Sequence, residues 1–176
     1  KLLDSFDVRE MHEGLAARLC CDRVTRLEIR ELWEMAEQMN ALAKKHKLVE
    51  MASLDREFHR RLVQFSRNSM LIRLAENYRL LGKVIQISRD PDVVRKEHLA
   101  ILKLIEEGKA DEAEAVTRAH IRTAKKDLET QIAEGKFVPR WLAGHPEPEL
   151  QADEEEATAL QKSGSGRRPR KPRTAV

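Results

Sequence analysis

Apolar residues recur at steps of three and four along most of the first 135 residues, which is the spacing of one face of an α-helix. Six such runs can be distinguished. Their apolar positions are Val8, Met11, Leu15 and Leu19; Leu32, Met35, Met39 and Leu42; Met51, Leu54, Phe58, Leu62 and Phe65; Leu71, Leu74, Tyr78 and Leu81; Val94, Ile101, Leu102 and Ile105; Ala113, Val116 and Ala124. No segment alternates convincingly at a period of two, so no β-sheet is expected.

The breaks between the runs contain residues that begin or end helices. Thr25 and Glu28 have the spacing of a capping box, and Pro91 suits a first helical turn. Gly108 separates the fifth run from the sixth. The sequence therefore predicts an all-α protein, an antiparallel bundle of about six to seven helices.

Composition divides the chain into a helical part and a different tail. Of the 176 residues, 41% are apolar and 36% charged, and glycine and proline are rare before residue 136. The tail contains an acidic cluster followed by a basic segment that cannot bury apolar surface. We expect residues 1–135 to form the folded domain and residues 136–176 to be a largely disordered extension.

The location of the protein is indicated by the lack of membrane-span and signal-peptide patterns and by the low number of cysteines. No run approaches the roughly 18 apolar residues of a membrane span, and no signal peptide opens the chain. The two cysteines, Cys20 and Cys21, are adjacent and so are unsuited to a structural disulfide. A cytoplasmic protein that does not bind membranes is expected.

Four polar residues can meet inside the predicted bundle. Asp55 and His59 are four residues apart and share one helical face. His98 lies ten residues before Gly108 and His120 twelve residues after it. If the chain folds back at Gly108, a rise of ~1.5 Å per residue places the two histidines about 15 and 18 Å from the turn. They should therefore lie at nearly the same level on adjacent helices.

These histidines lie on or beside the apolar face of their helices, where an imidazole without a partner is costly. A divalent cation would supply one partner for all four side chains. Three imidazoles and a carboxylate suit Zn²⁺, Ni²⁺, Fe²⁺ or Mn²⁺, and the pattern does not rank them. The alternative is that they are separate core or surface histidines. His12, His46 and His145 are not assigned to the metal.

Three segments with their spacing resemble a known family: "DVREMHEGLAARLC", "DREFHRRLVQFSRNSML" and "EHLAILKLIEEGKADEAEAVTRAHI". They look like the FCD domain, the C-terminal domain of FadR-type regulators in the GntR family of bacterial transcription regulators. The resemblance spans roughly residues 5–132. It implies an all-α bundle that dimerises and binds small organic acids.

The resemblance also implies a set of site residues. In the metal-containing branch of the family, one aspartate and three histidines hold a divalent ion at the base of the effector cavity. The matching residues here are Asp55, His59, His98 and His120. We expect Zn²⁺ or Ni²⁺, with Mn²⁺ or Fe²⁺ as alternatives.

Two further residues correspond to effector contacts of the family. Arg9 occupies the position of a first-helix arginine that lies near the effector carboxylate, and Asn68 matches the asparagine of the "S-x-N" break. The alternatives are a surface ion pair for Arg9 and a helix cap for Asn68.

The predicted function is a metal-dependent carboxylate-sensing and dimerisation domain that modulates DNA binding. The winged helix-turn-helix domain that precedes FCD domains is not in this sequence, which starts at Lys1, so DNA binding is expected of a longer parent protein. No enzymatic activity is expected. The alternatives are a helical metalloenzyme that uses the same His/Asp site and a structural dimer module stabilised by a metal. The effector and the operator are not indicated by the sequence.

Overall fold

The computed structural model describes residues 2–84 and 89–137, without the side chains of residues 77–84. Within these residues the chain forms six α-helices and no β-strand, which confirms the predicted all-α fold. The helices are α1 (Leu2–Arg23), α2 (Arg26–Lys44), α3 (Leu48–Phe65), α4 (Ser69–Val84), α5 (Pro91–Glu106) and α6 (Ala110–Ala133). The expected disorder of the extension concerns residues 136–176, of which 138–176 lie outside the described residues. None of the described helices combines the length and the apolar character that crossing a bilayer requires.

The helix boundaries follow the signals in the sequence. The capping box at the start of α2 is present, with the Thr25 and Glu28 side chains each bonded to the other's backbone N–H. Asp90 caps α5 and Pro91 occupies its first turn. Gly108 has a φ of 70°, a left-handed conformation that glycine adopts without strain, and it reverses the chain between α5 and α6.

Helices α1 and α6 pack along each other in opposite directions. Lys125 Nζ lies 2.7 Å from Asp7 Oδ1, and one turn further along Arg122 Nε lies 2.9 Å from Glu10 Oε1. These ion pairs are partly exposed and contribute little energy individually. Together they define the register of the two helices, which places residues 9–13 of α1 beside His120 of α6.

The close approach of α1 and α6 depends on Gly14. A Cβ at this position would lie 2.6 Å from Cγ of Arg118 on α6. We expect Gly14→Ala to lower the free energy of unfolding by about 1 kcal/mol, because overpacking costs ~1–3 kcal/mol and outweighs the ~1 kcal/mol gain in helix propensity. In an Arg118→Ala background, which removes the crowded atoms, the same change should raise it by up to about 1 kcal/mol. Chemical denaturation of the four proteins measures this cycle, and equal effects in both backgrounds would contradict it.

The apolar run that predicts α1 does not lie in the core. Val8, Met11 and Leu15 are 44%, 60% and 36% exposed. On α4, Met70 and Leu74 are 58% and 45% exposed. The two helices are in contact, as the hydrogen bond between the His12 imidazole and the Leu71 carbonyl shows. We refer to Val8, Met11, Leu15, Met70 and Leu74 together as the α1–α4 face.

The core lies mainly between α2, α3 and α5. Phe58, Leu62, Leu32, Ile101 and Leu102 are fully buried there. The side of α1 that packs on the bundle consists of small residues such as Ala16, Ala17 and Cys20, with Phe6 at its start. This core fixes the positions of α3 and α5, and Ala113 connects α6 to it.

Candidate metal centre

Three buried histidines from three helices converge at one point. His59 lies on α3, His98 on α5 and His120 on α6. Each offers a ring nitrogen, and these nitrogens all lie within 4.8 Å of one another. The Nε2 atoms of His59 and His120 are 3.2 Å apart. The sequence predicts that His98 and His120 lie at nearly the same level on the two helices joined at Gly108, and the observed geometry agrees.

Asp55 lies beside this trio, one helical turn before His59 on α3. Its Oδ1 atom is 3.4 Å from Nε2 of His98 and 3.9 Å from Nε2 of His59. The structure thus brings together the four residues named as ligands from the sequence, while metal binding by them stays a prediction. The set of three imidazoles and one carboxylate suits a divalent transition metal.

Within residues 2–84 and 89–137, His98 finds no hydrogen-bond partner for either ring nitrogen, although it is only 1% exposed. The ring stacks on Phe58, with centroids 4.4 Å apart and an angle of 28° between the planes. A buried imidazole without hydrogen bonds is unfavourable unless something else occupies its nitrogens. A cation held between the histidines would satisfy it.

Two glutamates contact the outer nitrogens of the other two histidines. Glu97 accepts a hydrogen bond from Nδ1 of His120 at 2.6 Å. Glu13 Oε2 lies 2.8 Å from Nδ1 of His59, an ion-pair distance at which the N–H is not well aligned for a hydrogen bond. Glu97 thus lies behind His120, on the side of the ring that faces away from the other two histidines. Glu13 carries no signal in the sequence.

Burial and neighbouring charges set the protonation of this cluster. Burial lowers the pKa of His98 well below its ordinary value, and His120 and His59 lower it further. Burial also lowers the pKa of His120, although its hydrogen bond to Glu97 opposes the shift. Both rings are therefore neutral near pH 7, the form that binds metals.

The two glutamates remain ionised. Burial alone would raise the pKa of Glu13, but Arg9 and His59 outweigh it and hold the pKa well below its usual range. In the same way, His120 and Arg89 outweigh burial at Glu97 and lower its pKa. Two negative charges thus lie beside the neutral histidines, where they would offset the charge of a bound cation.

A cavity of about 90 Å³ opens next to the histidines, with room for a few water molecules or a small organic acid. Its wall has apolar parts from Phe6, Met51, Val94 and Ile121. The polar side chains that line it are Arg9, Asp55, Arg56, His59, Arg89 and His120. Three arginines against one aspartate make this wall suited to an anion.

Arg9 lines the cavity, while its predicted contact with an effector carboxylate stays a prediction. Its Nε donates to Glu13 Oε1 at 2.6 Å, and its guanidinium lies 5.2 Å from the centre of the Phe6 ring. Arg89 was not anticipated. It is 8% exposed and pairs with Glu97 at 3.0 Å and Asp127 at 2.7 Å. Its position just before the cap of α5 gave no indication of a buried role.

Asn68 is not among the residues that line the cavity. Its Oδ1 accepts hydrogen bonds from the backbone N–H groups of Met70 and Leu71, at 3.0 and 3.2 Å. The structure therefore shows the helix-capping role that was the alternative for this residue. An effector contact by Asn68 has no geometric support here.

Comparisons with known proteins agree with this fold. The chain is 32% identical over 126 residues to the Nta operon transcriptional regulator of Aminobacter aminovorans, which covers 69% of this chain and 58% of that protein. It is 26% identical over 151 residues to the Glc operon transcriptional activator of Escherichia coli strain K12, with 79% and 59% covered. The chain thus spans slightly more than half the length of these curated relatives.

Among solved structures, Streptococcus agalactiae GntR resembles the chain with a TM-score of 0.64 at 22% identity, covering 71% of this chain and 58% of that one. At this identity the likeness shows the fold alone. The profile of the FCD domain matches residues 4–123. The match covers both the helices that carry the histidines and the one that carries Arg9, and it confirms the resemblance read from the sequence: the chain belongs to the FCD domain family.

Proposed function

We propose that this chain is the sensing domain of a transcription regulator, and that it reports a small carboxylate through a divalent metal held by Asp55, His59, His98 and His120. The observation that carries the proposal is the convergence of three buried imidazoles, one of them without any hydrogen-bond partner, beside a cavity lined by arginines. The two relatives named above are a transcriptional regulator and a transcriptional activator.

The donor set fits a divalent ion such as Zn²⁺ or Ni²⁺, with Mn²⁺ or Fe²⁺ as alternatives. When bound, the ion would supply positive charge and exchangeable positions for a carboxylate or hydroxy-carboxylate. Since Asp55, His59 and His120 line the cavity, an effector there has direct access to the ligands. His98 lies behind them and closes the site from the core side.

Arg9 is the residue proposed to bind the effector carboxylate. A guanidinium can form two parallel hydrogen bonds to a carboxylate, which gives both affinity and orientation. Arg9 pairs with Glu13 and is only 22% exposed at its side chain, so it is held at the cavity wall. Arg56 and Arg89 add positive charge around the same space.

The α1–α4 face is proposed to be where two copies of the chain associate. It presents five apolar side chains that are each at least 36% exposed, on two helices in contact. Such a group is a usual mark of an interaction surface. Because a regulator of this kind binds DNA through a second domain, pairing at this face would set the spacing of two DNA-binding domains in a longer parent protein.

An enzymatic role is not favoured by any observation at the site. Hydrolysis would need a general base beside a metal-bound water. Glu57 is paired with Arg60 and Arg61 on the outer side of α3. Glu97 is occupied by His120 and Arg89.

The sensing proposal is tested by thermal unfolding of the Ni²⁺-loaded chain with a panel of carboxylic acids, including glycolate, lactate and malate. An acid at a hundredfold excess over its Kd should stabilise the fold by about 2.7 kcal/mol. Arg9→Met should remove most of this effect. Arg18→Met, on the same helix but paired with Asp111 and Glu114 away from the cavity, is the control and should keep it. A panel without any stabilising acid would contradict the proposal.

A further inference from the structure

Two of the three histidines share an arrangement that the third lacks. His59 and His120 each present Nδ1 to a glutamate, at 2.8 Å from Glu13 and 2.6 Å from Glu97. Among the residues that the structure describes, no glutamate lies at such a distance from His98 and neither of its nitrogens has a hydrogen bond, although Asp55 Oδ1 lies 3.4 Å from its Nε2. The difference concerns which ring nitrogen carries the hydrogen in each neutral imidazole.

An ionised carboxylate offers only lone pairs, so a ring nitrogen at 2.6 or 2.8 Å from one must carry the hydrogen. This holds for the hydrogen bond of His120 and for the less well aligned ion-pair contact of His59. In His59 and His120 that nitrogen is Nδ1. Their Nε2 atoms then have free lone pairs, and these are the two atoms that lie 3.2 Å apart at the centre of the cluster. Two lone pairs at this distance repel unless a positive charge lies between them.

Each glutamate is itself held in place by an arginine of the cavity wall. Arg9 donates from Nε to Glu13 at 2.6 Å, and both residues lie on α1, one turn apart. Arg89 lies 3.0 Å from Glu97 and also pairs with Asp127 of α6. The glutamate side chains are 3% and 24% exposed, so water does not replace these contacts freely.

We propose that Glu13 and Glu97 are positioning residues that fix His59 and His120 with the hydrogen on Nδ1 and the lone pair of Nε2 directed at the ion. Arg9 and Arg89 hold the glutamates in that orientation. His98 has no residue of this kind, and its tautomer is set by the ion. The inference deepens the proposed metal site and rests on it.

The first test uses the metal-free protein and does not depend on metal affinity. Two-bond proton–nitrogen correlation spectra of isotope-labelled histidine, recorded at about pH 8 where imidazoles are neutral, distinguish the two tautomers. We expect His59 and His120 of the wild type to carry the hydrogen on Nδ1. In Glu97→Leu, only His120 should lose this signature. An Nε2–H form of both residues in the wild type would overturn the proposal.

The second test measures Ni²⁺ affinity by competition with a chromophoric chelator. Glu97→Leu and Glu13→Leu should each weaken binding by about 10- to 100-fold, as loss of an outer-shell partner does. Asp127→Asn is the matched control, because it removes one negative charge from the same Arg89 without touching a histidine. It should change the Kd by less than about threefold, within the usual range for an exposed ion pair.

The conservative change Glu97→Asp separates positioning from charge. It keeps the charge but shortens the reach to His120, so affinity should fall nearly as far as in Glu97→Leu. An aspartate variant with wild-type affinity, or an equal loss in Asp127→Asn, would overturn the positioning role. A wild type with the Nδ1–H tautomers but without Ni²⁺ binding would refute the proposed function and still support the assignment of the two glutamates.

Discussion

The His98→Leu protein should bind Ni²⁺ or Zn²⁺ more than about a hundredfold more weakly than the wild type and should lose no stability when metal is absent. The first effect follows because a four-ligand site contributes ~10–16 kcal/mol, or roughly 3 kcal/mol per ligand. The second follows because leucine replaces a buried imidazole that has no hydrogen bonds, and removing an unsatisfied polar group is neutral or stabilising. A large loss of metal affinity without a loss of metal-free stability is difficult to obtain unless His98 is a ligand.

This prediction is tested by measuring the metal content after dialysis, the metal affinity by chelator competition, and the melting temperature with and without Ni²⁺. The wild type should melt at a higher temperature with Ni²⁺, and His98→Leu should not respond. His46→Asn is the control: His46 is exposed, lies between α2 and α3 and has a φ of 56°, which asparagine tolerates. A wild type holding less than about 0.2 ions per chain, without a rise in melting temperature, would refute the metal centre.

Leu15→Glu, or Met11→Glu, should convert a dimer of the chain into monomers. An unpaired carboxylate buried in an apolar interface costs several kcal/mol, and two copies of the interface element double the penalty in a symmetric dimer. We therefore expect the dimer dissociation constant to rise by at least about a hundredfold. Sedimentation velocity over a concentration series measures it.

Leu27→Glu provides the matched control for the dimer prediction. Leu27 is 75% exposed on α2 and is not part of the α1–α4 face. This variant should sediment like the wild type, and all the variants should keep the Ni²⁺ affinity of the wild type. A wild-type chain that sediments as a monomer at tens of micromolar, or equal dissociation by Leu27→Glu, would contradict the proposed face.

The helices were predictable because their signals are local. Thr25, Pro91 and Gly108 act on the backbone within one turn, and the three- and four-residue steps follow from helix geometry. The meeting of His98 and His120 was predictable for a related reason, since a reversal at Gly108 relates the two by counting alone. The level of His59 relative to them needed the family resemblance.

The parts that were not predictable depend on contacts between distant helices. The apolar steps of α1 indicate a helix but not which of its faces is buried. Gly14 lies close to α6, Ala16 packs with Val63 and Leu71 of α3 and α4, and Ala17 belongs to the main core, and no local pattern encodes these contacts. Glu13 is an ordinary helical acid in the sequence and becomes a neighbour of His59 only after α1 and α3 pack. Asn68 carried two local interpretations, and the capping role is the one with observed hydrogen bonds.

Helix α1 connects two surfaces of the protein, because one of its sides faces the cavity and the histidines and another belongs to the α1–α4 face. Arg9 lines the cavity and Glu13 contacts His59, while Met11, placed between them in sequence, is exposed. A helix of this length is stiff, because every turn is held by backbone hydrogen bonds. Under the proposed function, an effector that displaced Arg9 would therefore displace Met11 and Leu15 together with it. Coupling between the cavity and the α1–α4 face would then need no structural element other than this helix.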